Sequence, residues 1–121
     1  IYMPWLNESK RLKAIANKEN GSDEVAVYSK AEILYIDDLF KPTPEQPDPT
    51  GADIRLAYEI INYRYLNKLP MIVSCEKYMT ELLEYDEATI SRLYERSKQY
   101  TVNIARKPGR NYRMRGAGMI V

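Results

Sequence analysis

At 121 residues the chain suits one compact domain, and 45% hydrophobic with 29% charged residues is ordinary for a folded protein. No apolar run approaches the roughly 20 residues that a membrane-spanning helix needs, so no membrane partner is expected. A single cysteine, Cys75, and no histidine exclude an internal disulfide framework, imidazole chemistry and an ordinary zinc site, and they fit a reducing, cytoplasmic setting.

The net charge of +1 is uninformative, but its distribution is not. From Arg92 to Arg115 the only acid is Glu95, set among Arg92, Arg96, Lys98, Arg106, Lys107, Arg110, Arg113 and Arg115. Just upstream, Glu76, Glu81, Glu84, Asp86 and Glu87 outweigh Lys77. A basic last third points to phosphate, on nucleotide or nucleic acid, or to a solvated basic face.

In chain order, Ile1 to Met3 reads as a short apolar strand entered partway through a fold. Leu6 to Lys18 follows as an imperfect amphipathic helix with Leu12 and Ile15 on one side. Asn20-Gly21-Ser22-Asp23 signals a turn, and Val25, Val27 and Tyr28 end a short helix leading into the next strand. Ile33-Leu34-Tyr35-Ile36 is a continuous apolar run, as in a strand buried on both faces of a parallel sheet. The segment 41–50 carries Pro42, Pro44, Pro47 and Pro49, so it is expected to be an exposed, mobile loop. Thr50 as N-cap with Asp53 in the first turn opens a helix. Its expected inward stripe is Ile54, Ala57, Tyr58, Ile61 and Tyr65, and it stops near Asn67 ahead of Pro70. Met71 to Ser74 reads as a second buried strand. Tyr78 to Leu83 and Glu87 to Lys98 read as helices, the latter with Ile90, Leu93 and Tyr94 on one face. Tyr100, Val102 and Ile104 alternate as in a half-exposed strand, Pro108-Gly109 is a turn, and Asn111 to Met114 a last short strand. Strands alternating with helices predict an α/β fold with a mostly parallel sheet.

The chemistry concentrates at Asp37-Asp38, which follow the apolar run directly. In an open parallel sheet, ligands bind outside the carboxyl ends of the strands. Four apolar residues followed by two acids form the pattern of a Walker B motif. Magnesium takes hard oxygen ligands and keeps most of its waters, so one rigidly held carboxylate, Asp37, suffices to orient it. The adjacent Asp38 is then the candidate for polarising an attacking water. The same pattern also occurs where a strand simply ends in a solvated turn.

Further segments narrow the choice. Leu34-Tyr35-Ile36-Asp37-Asp38-Leu39-Phe40 is followed by the helix Ala52 to Tyr65 and the strand Leu69-Pro70-Met71-Ile72-Val73-Ser74. Then come Glu81-Leu82-Leu83, Ser91-Arg92-Leu93-Tyr94-Glu95 and Asn111-Tyr112-Arg113. Together, over nearly the whole chain, these resemble the ATPase domain of the DnaC/IstB-type AAA+ helicase loaders, especially the DnaC- and DnaI-like loaders of Gram-positive bacteria and their phages. The resemblance implies a three-layer P-loop NTPase core of which residues 1–121 are a part, with ATP and Mg2+ as cofactors. It implies that Ser74, at the tip of the sensor 1 strand, faces the γ-phosphate. The family's Asn two residues further on is here Glu76, whose charge repels phosphate. It implies that Arg92 is an arginine finger acting on a neighbouring subunit's nucleotide and that Arg113 lies near a sensor 2 position. The implied activity is ATP-dependent loading of a replicative DnaB-type helicase onto single-stranded DNA during primosome assembly, with self-association through AAA+ subunit interfaces. An IstB-like transposition helper and a non-catalytic DNA- or protein-binding module of the same fold are the alternatives.

The chain contains no Gly-x-x-x-x-Gly-Lys-Ser/Thr. In the family that loop lies upstream of the segment that starts here at Ile1. The 121-residue chain is therefore expected neither to bind nor to hydrolyse ATP appreciably by itself. Absence of the P-loop strand is also expected to leave an exposed sheet edge that closes up or pairs with another chain. Eleven tyrosines stand against one phenylalanine and one tryptophan. Tyr63 and Arg64, lying off the expected apolar stripe, are candidate contacts for single-stranded DNA, because rings stack on bases and cations neutralise phosphates.

Overall fold

A computed structural model of the chain describes residues 1–105, 107 and 113. The elements run β1 (Tyr2–Pro4), α1 (Trp5–Ile15), α2 (Gly21–Lys30), β2 (Leu34–Asp37), α3 (Gly51–Leu66), β3 (Met71–Val73), α4 (Met79–Tyr85) and α5 (Glu87–Ser97). The three strands form one parallel sheet in the order β1-β2-β3, with Tyr2 paired to Tyr35 and Tyr35 to Ile72. The α/β class with a small parallel sheet is thus present, and the apolar run leading into Asp37-Asp38 is its central strand.

The period-2 alternation of the strands divides the sheet into two unlike faces. Met3, Leu34 and Ile36 are fully buried in a core shared with Leu12, Val25, Ala57, Ile60, Ile61, Leu82 and Ile90 of the helices. The opposite face carries Tyr2, Ile33 and Ile72, which are 56%, 58% and 62% exposed. Among the described residues the molecule therefore has two layers, helices on one face of a sheet whose other face is open. Burial on both faces, expected from the apolar runs, does not hold for β2, where Tyr35 is half-buried and Ile33 just before it is exposed, nor for β3. Its core-side residues Met71 and Val73 are half-buried, and Ile72 points away from the core.

Local signals explain the helices. Gly21 opens α2 against the end of α1, where a Cβ would lie 2.3 Å from the Ile15 carbonyl oxygen, so no larger residue fits. A reciprocal capping box starts α3: Thr50 Oγ1 accepts from the Asp53 N–H, and Asp53 Oδ2 accepts from the Thr50 N–H. The buried stripe of α3 is Asp53, Leu56, Ala57, Ile60, Ile61 and Arg64, rotated from the expected one. Ile54 is half-buried, Tyr58 is 40% exposed and Tyr65 sends its hydroxyl to Glu95. Adjacent apolar pairs, Leu56-Ala57 and Ile60-Ile61, allow two stripes about 100° apart. The polar ends of the helix decide between them. Lys13 Nζ meets Asp53 at one end, and a set of carbonyls receives Arg64 at the other.

The proline segment forms no helix or strand, as its composition requires, and it is tied down by hydrogen bonds. Thr43 and Gln46 bond reciprocally, Gln46 Nε2 donates to Asp53, and Tyr85 donates to Asp48. Tyr94 is 49% exposed, so the inward face of α5 is Thr89, Ile90 and Leu93. The strand expected over 100–104 is absent. Tyr100, Val102 and Ile104 are 81%, 79% and 71% exposed, because no strand of the described sheet lies beside them to pair with. The turn at Pro108-Gly109 and all of the expected last strand except Arg113 lie outside the described residues.

Candidate functional site

The C-terminal tips of β2 and β3 converge on Asp37. Ser74 Oγ donates to Asp37 Oδ1 at 2.6 Å and accepts from the Asp38 N–H at 2.9 Å. The backbone repeats this stitching: the Ser74 N–H donates to the Ile36 oxygen, and the Leu39 N–H to the Ser74 oxygen. Tyr35 hydroxyl donates to Oδ1 at 3.1 Å and Tyr2 hydroxyl to Oδ2 at 2.6 Å. These bonds, led by that of Ser74 and then that of Tyr2, hold the Asp37 carboxyl below the ordinary carboxylate range. Asp37 thus stays ionised near neutral pH, and the side chains bonded to it among the described residues are neutral hydroxyls.

The chain leaves β2 through a strained turn. Asp38 and Phe40 adopt φ of 57° and 56°. Asp tolerates this left-handed region, but for a bulky aromatic it is an outlier held only by surrounding structure. Phe40 is fixed by edge-to-face packing on Trp5 at 5.5 Å and by Tyr85 at 6.4 Å. The turn sets Asp38 beside Asp37 at the sheet tip. Nothing in the sequence signals Phe40's backbone, since the composition of 38–40 reads as an ordinary strand end.

Glu76, expected to repel phosphate, is paired with Lys41 Nζ across the same tips. That bond raises the Lys41 pKa, against the opposing charge of Arg113. The ion pair compensates the Glu76 carboxylate, which removes much of the objection to a phosphate nearby. Arg113 is exposed, and its charge acts weakly on Lys41.

Two other expected residues lie elsewhere. Arg92, on α5, holds its guanidinium 5.8 Å from the Tyr58 ring and 5.9 Å from the Tyr65 ring, with Nη1 donating to the Ala88 carbonyl. No bond in the described residues joins it to Asp37 or Ser74. Arg64 is a correction. It is fully buried, and Nη1 donates to the carbonyls of Tyr28, Ser29 and Ala31 while Nη2 donates to that of Pro70. A side chain so enclosed cannot meet a DNA phosphate. It caps the C-terminus of α2 and ties it to the entrance of β3. Tyr63 beside it is half-buried.

The donors converging at Asp37 and Asp38 are hard oxygens, the class magnesium selects. Among the described residues there is no group of three or more His, Cys, Asp or Glu side chains that would form an all-protein metal cage. No helix of the described residues is long and apolar enough to cross a membrane.

No protein-family model matches the chain, and no solved structure gives a significant match. It is similar to the uncharacterized protein YqaM of Bacillus subtilis (strain 168), 38% identical over 104 residues, covering 86% of this chain and 33% of YqaM. It is also similar to the phage-like element PBSX protein XkdC of the same strain, 41% identical over 75 residues, covering 62% of this chain and 28% of XkdC. The chain thus spans about a third of the length of the curated relatives it matches.

Proposed function

We propose that the chain is part of an ATPase of the DnaC/IstB loader type, acting in ATP-dependent loading of a replicative DnaB-type helicase onto single-stranded DNA. The observation that carries this reading is the junction of β2 and β3. Asp37 and Asp38 end the central strand of a parallel sheet, and Ser74, from the tip of the neighbouring strand, bonds both the Asp37 carboxylate and the Asp38 N–H. A Walker B pair beside a sensor 1 residue calls for this arrangement. One relative is named for a phage-like element, which suits a loader of the kind phages carry.

In this reading Asp37 would hold Mg2+, which would supply positive charge against the phosphates. Asp38 would polarise the attacking water, Ser74 spends its one hydroxyl proton on orienting Asp37 at the tip that would face the γ-phosphate, and Arg113 would supply positive charge nearby. Arg92 serves a neighbouring subunit's nucleotide, which agrees with its position away from Asp37 within its own chain. The phosphate-binding loop and the helicase-binding part belong to the whole protein.

The test is ATP hydrolysis by the whole protein with its replicative helicase and single-stranded DNA, wild type against Asp37→Ala. The expected loss is about 100-fold, the scale of removing one essential polar group from a hydrolytic site. Equal hydrolysis by the two proteins, or none by the wild type, overturns the reading.

A further inference from the structure

We propose that Tyr2 and Tyr35 are positioning residues whose hydroxyls, with that of Ser74, hold the Asp37 carboxylate in one orientation while leaving its charge free for a divalent cation. This rests on the hydrolytic reading above and adds two residues to its site. Tyr2 and Tyr35 are register partners on β1 and β2 and lie on the open face of the sheet. Asp37 is two residues beyond Tyr35, hence on the same face. The ring of Tyr35 therefore reaches along its own strand to Oδ1, while Tyr2 reaches across from β1 to Oδ2. The two rings brace each other with centroids 5.3 Å apart.

A carboxylate offers about four lone-pair positions. Among the described residues, the Ser74 and Tyr35 hydroxyls bond Oδ1 and the Tyr2 hydroxyl bonds Oδ2, so all three side-chain donors on the carboxylate are neutral. The choice of donor matters. A lysine or arginine in place of either tyrosine would orient Asp37 equally well, but its charge would compete with a metal ion. Neutral hydroxyls orient without competing. Groups that orient a metal-binding carboxylate typically change metal affinity 10- to 100-fold when lost.

Both tyrosines lie outside the core cluster, and the backbone ladders already join the three strands. Removing the hydroxyls should therefore leave the fold intact. The experiment uses the whole protein as wild type, the Tyr2→Phe/Tyr35→Phe double variant and Asp37→Asn. A fluorescent methylanthraniloyl-ATP is titrated with saturating Mg2+ and again in EDTA, and thermal melts are recorded. For the double variant the expected result is an unchanged Kd in EDTA, a loss of about 10-fold in the Mg2+-dependent tightening, and an unchanged melting temperature. If the double variant keeps the wild-type Mg2+ effect while Asp37→Asn loses it, the tyrosine proposal is wrong and the metal role of Asp37 stands. If Asp37→Asn also keeps it, the hydrolytic reading fails and takes the tyrosine proposal with it. A fall in melting temperature or in EDTA affinity matching the loss assigns the hydroxyls to the fold and overturns the proposal.

Discussion

Arg64 shows how far a side chain's role depends on burial that its letter does not disclose. A guanidinium inside the molecule is costly unless its protons are satisfied, and burial alone pushes its pKa down. Four carbonyls meet that requirement at Nη1 and Nη2, while Nε has no partner among the described residues. Arg64→Ala removes the donors and leaves the carbonyls at the end of α2 inside the protein without partners. Hydrogen bonds to charged groups are each worth about 1.5–3 kcal/mol, so the expected cost is about 3 kcal/mol in urea unfolding. Arg64→Lys should cost less, since one ammonium can still reach some of the carbonyls. Arg55→Ala, at an exposed position on the same helix, should change stability by no more than about 0.5 kcal/mol. The sequence did carry a clue to Arg64. It lies seven residues after Ala57 and four after Ile60, at the spacing of the buried stripe. Its charge argued for the surface, and only the fold shows that the carbonyls of α2 and Pro70 are there to receive it.

At the scale of elements, legibility followed how local the cause is. The start of α3 was readable because Thr50 and Asp53 are three residues apart and cap each other directly. Strand β2 was readable because an apolar run ending in two acids has few other uses in an α/β chain. The misreading of 100–104 has the opposite origin: alternation in Tyr100, Val102 and Ile104 describes a strand only where a neighbouring strand exists to pair with it. The α3 start also has a pH dependence. Burial alone would raise the Asp53 pKa, but the Lys13 ammonium and the bonds from Thr50 outweigh it, and the pKa is lowered. A carboxyl depressed in the folded state binds protons more readily when unfolded, so stability rises with pH across that interval. The contribution is complete above the ordinary Asp value of about 3.9 and is lost as pH falls through the folded value. Thermal melts between neutral and acid pH should therefore show wild type losing more stability than Asp53→Asn below about pH 4. Parallel curves for the two proteins would mean that the Lys13 pair and the cap contribute nothing to acid sensitivity.

For the whole molecule, the unlike faces of the sheet matter most. All-parallel sheets are almost always covered on both sides, yet here Tyr2, Ile33 and Ile72 lie open, and among the described residues β3 pairs only with β2. The sequence pointed to an exposed sheet edge but not to an uncovered face, because apolar strands read alike whether one side or both are buried. Three short strands about 4.8 Å apart present a patch of only about 200 Å², against roughly 800 Å² per partner in a stable interface. Self-association of this chain through that face should therefore be weak and appear only at high concentration. Ile72 is its most exposed described side chain and lies on β3, one of the two edge strands of the described sheet, so a charge there acts on both face and edge. Lysine is a residue that natural sheets use to block edge pairing. Ile72→Lys should weaken association about 10-fold, or about 1.4 kcal/mol, in sedimentation velocity, and leave stability within about 0.5 kcal/mol because the position is on the surface. Val27→Lys, on the exposed side of α2, is the matched control and should leave association unchanged. Equal weakening by both variants would assign the effect to net charge, whereas weakening by Ile72→Lys alone identifies the β3 side of the sheet, its open face or its edge, as the surface through which copies meet.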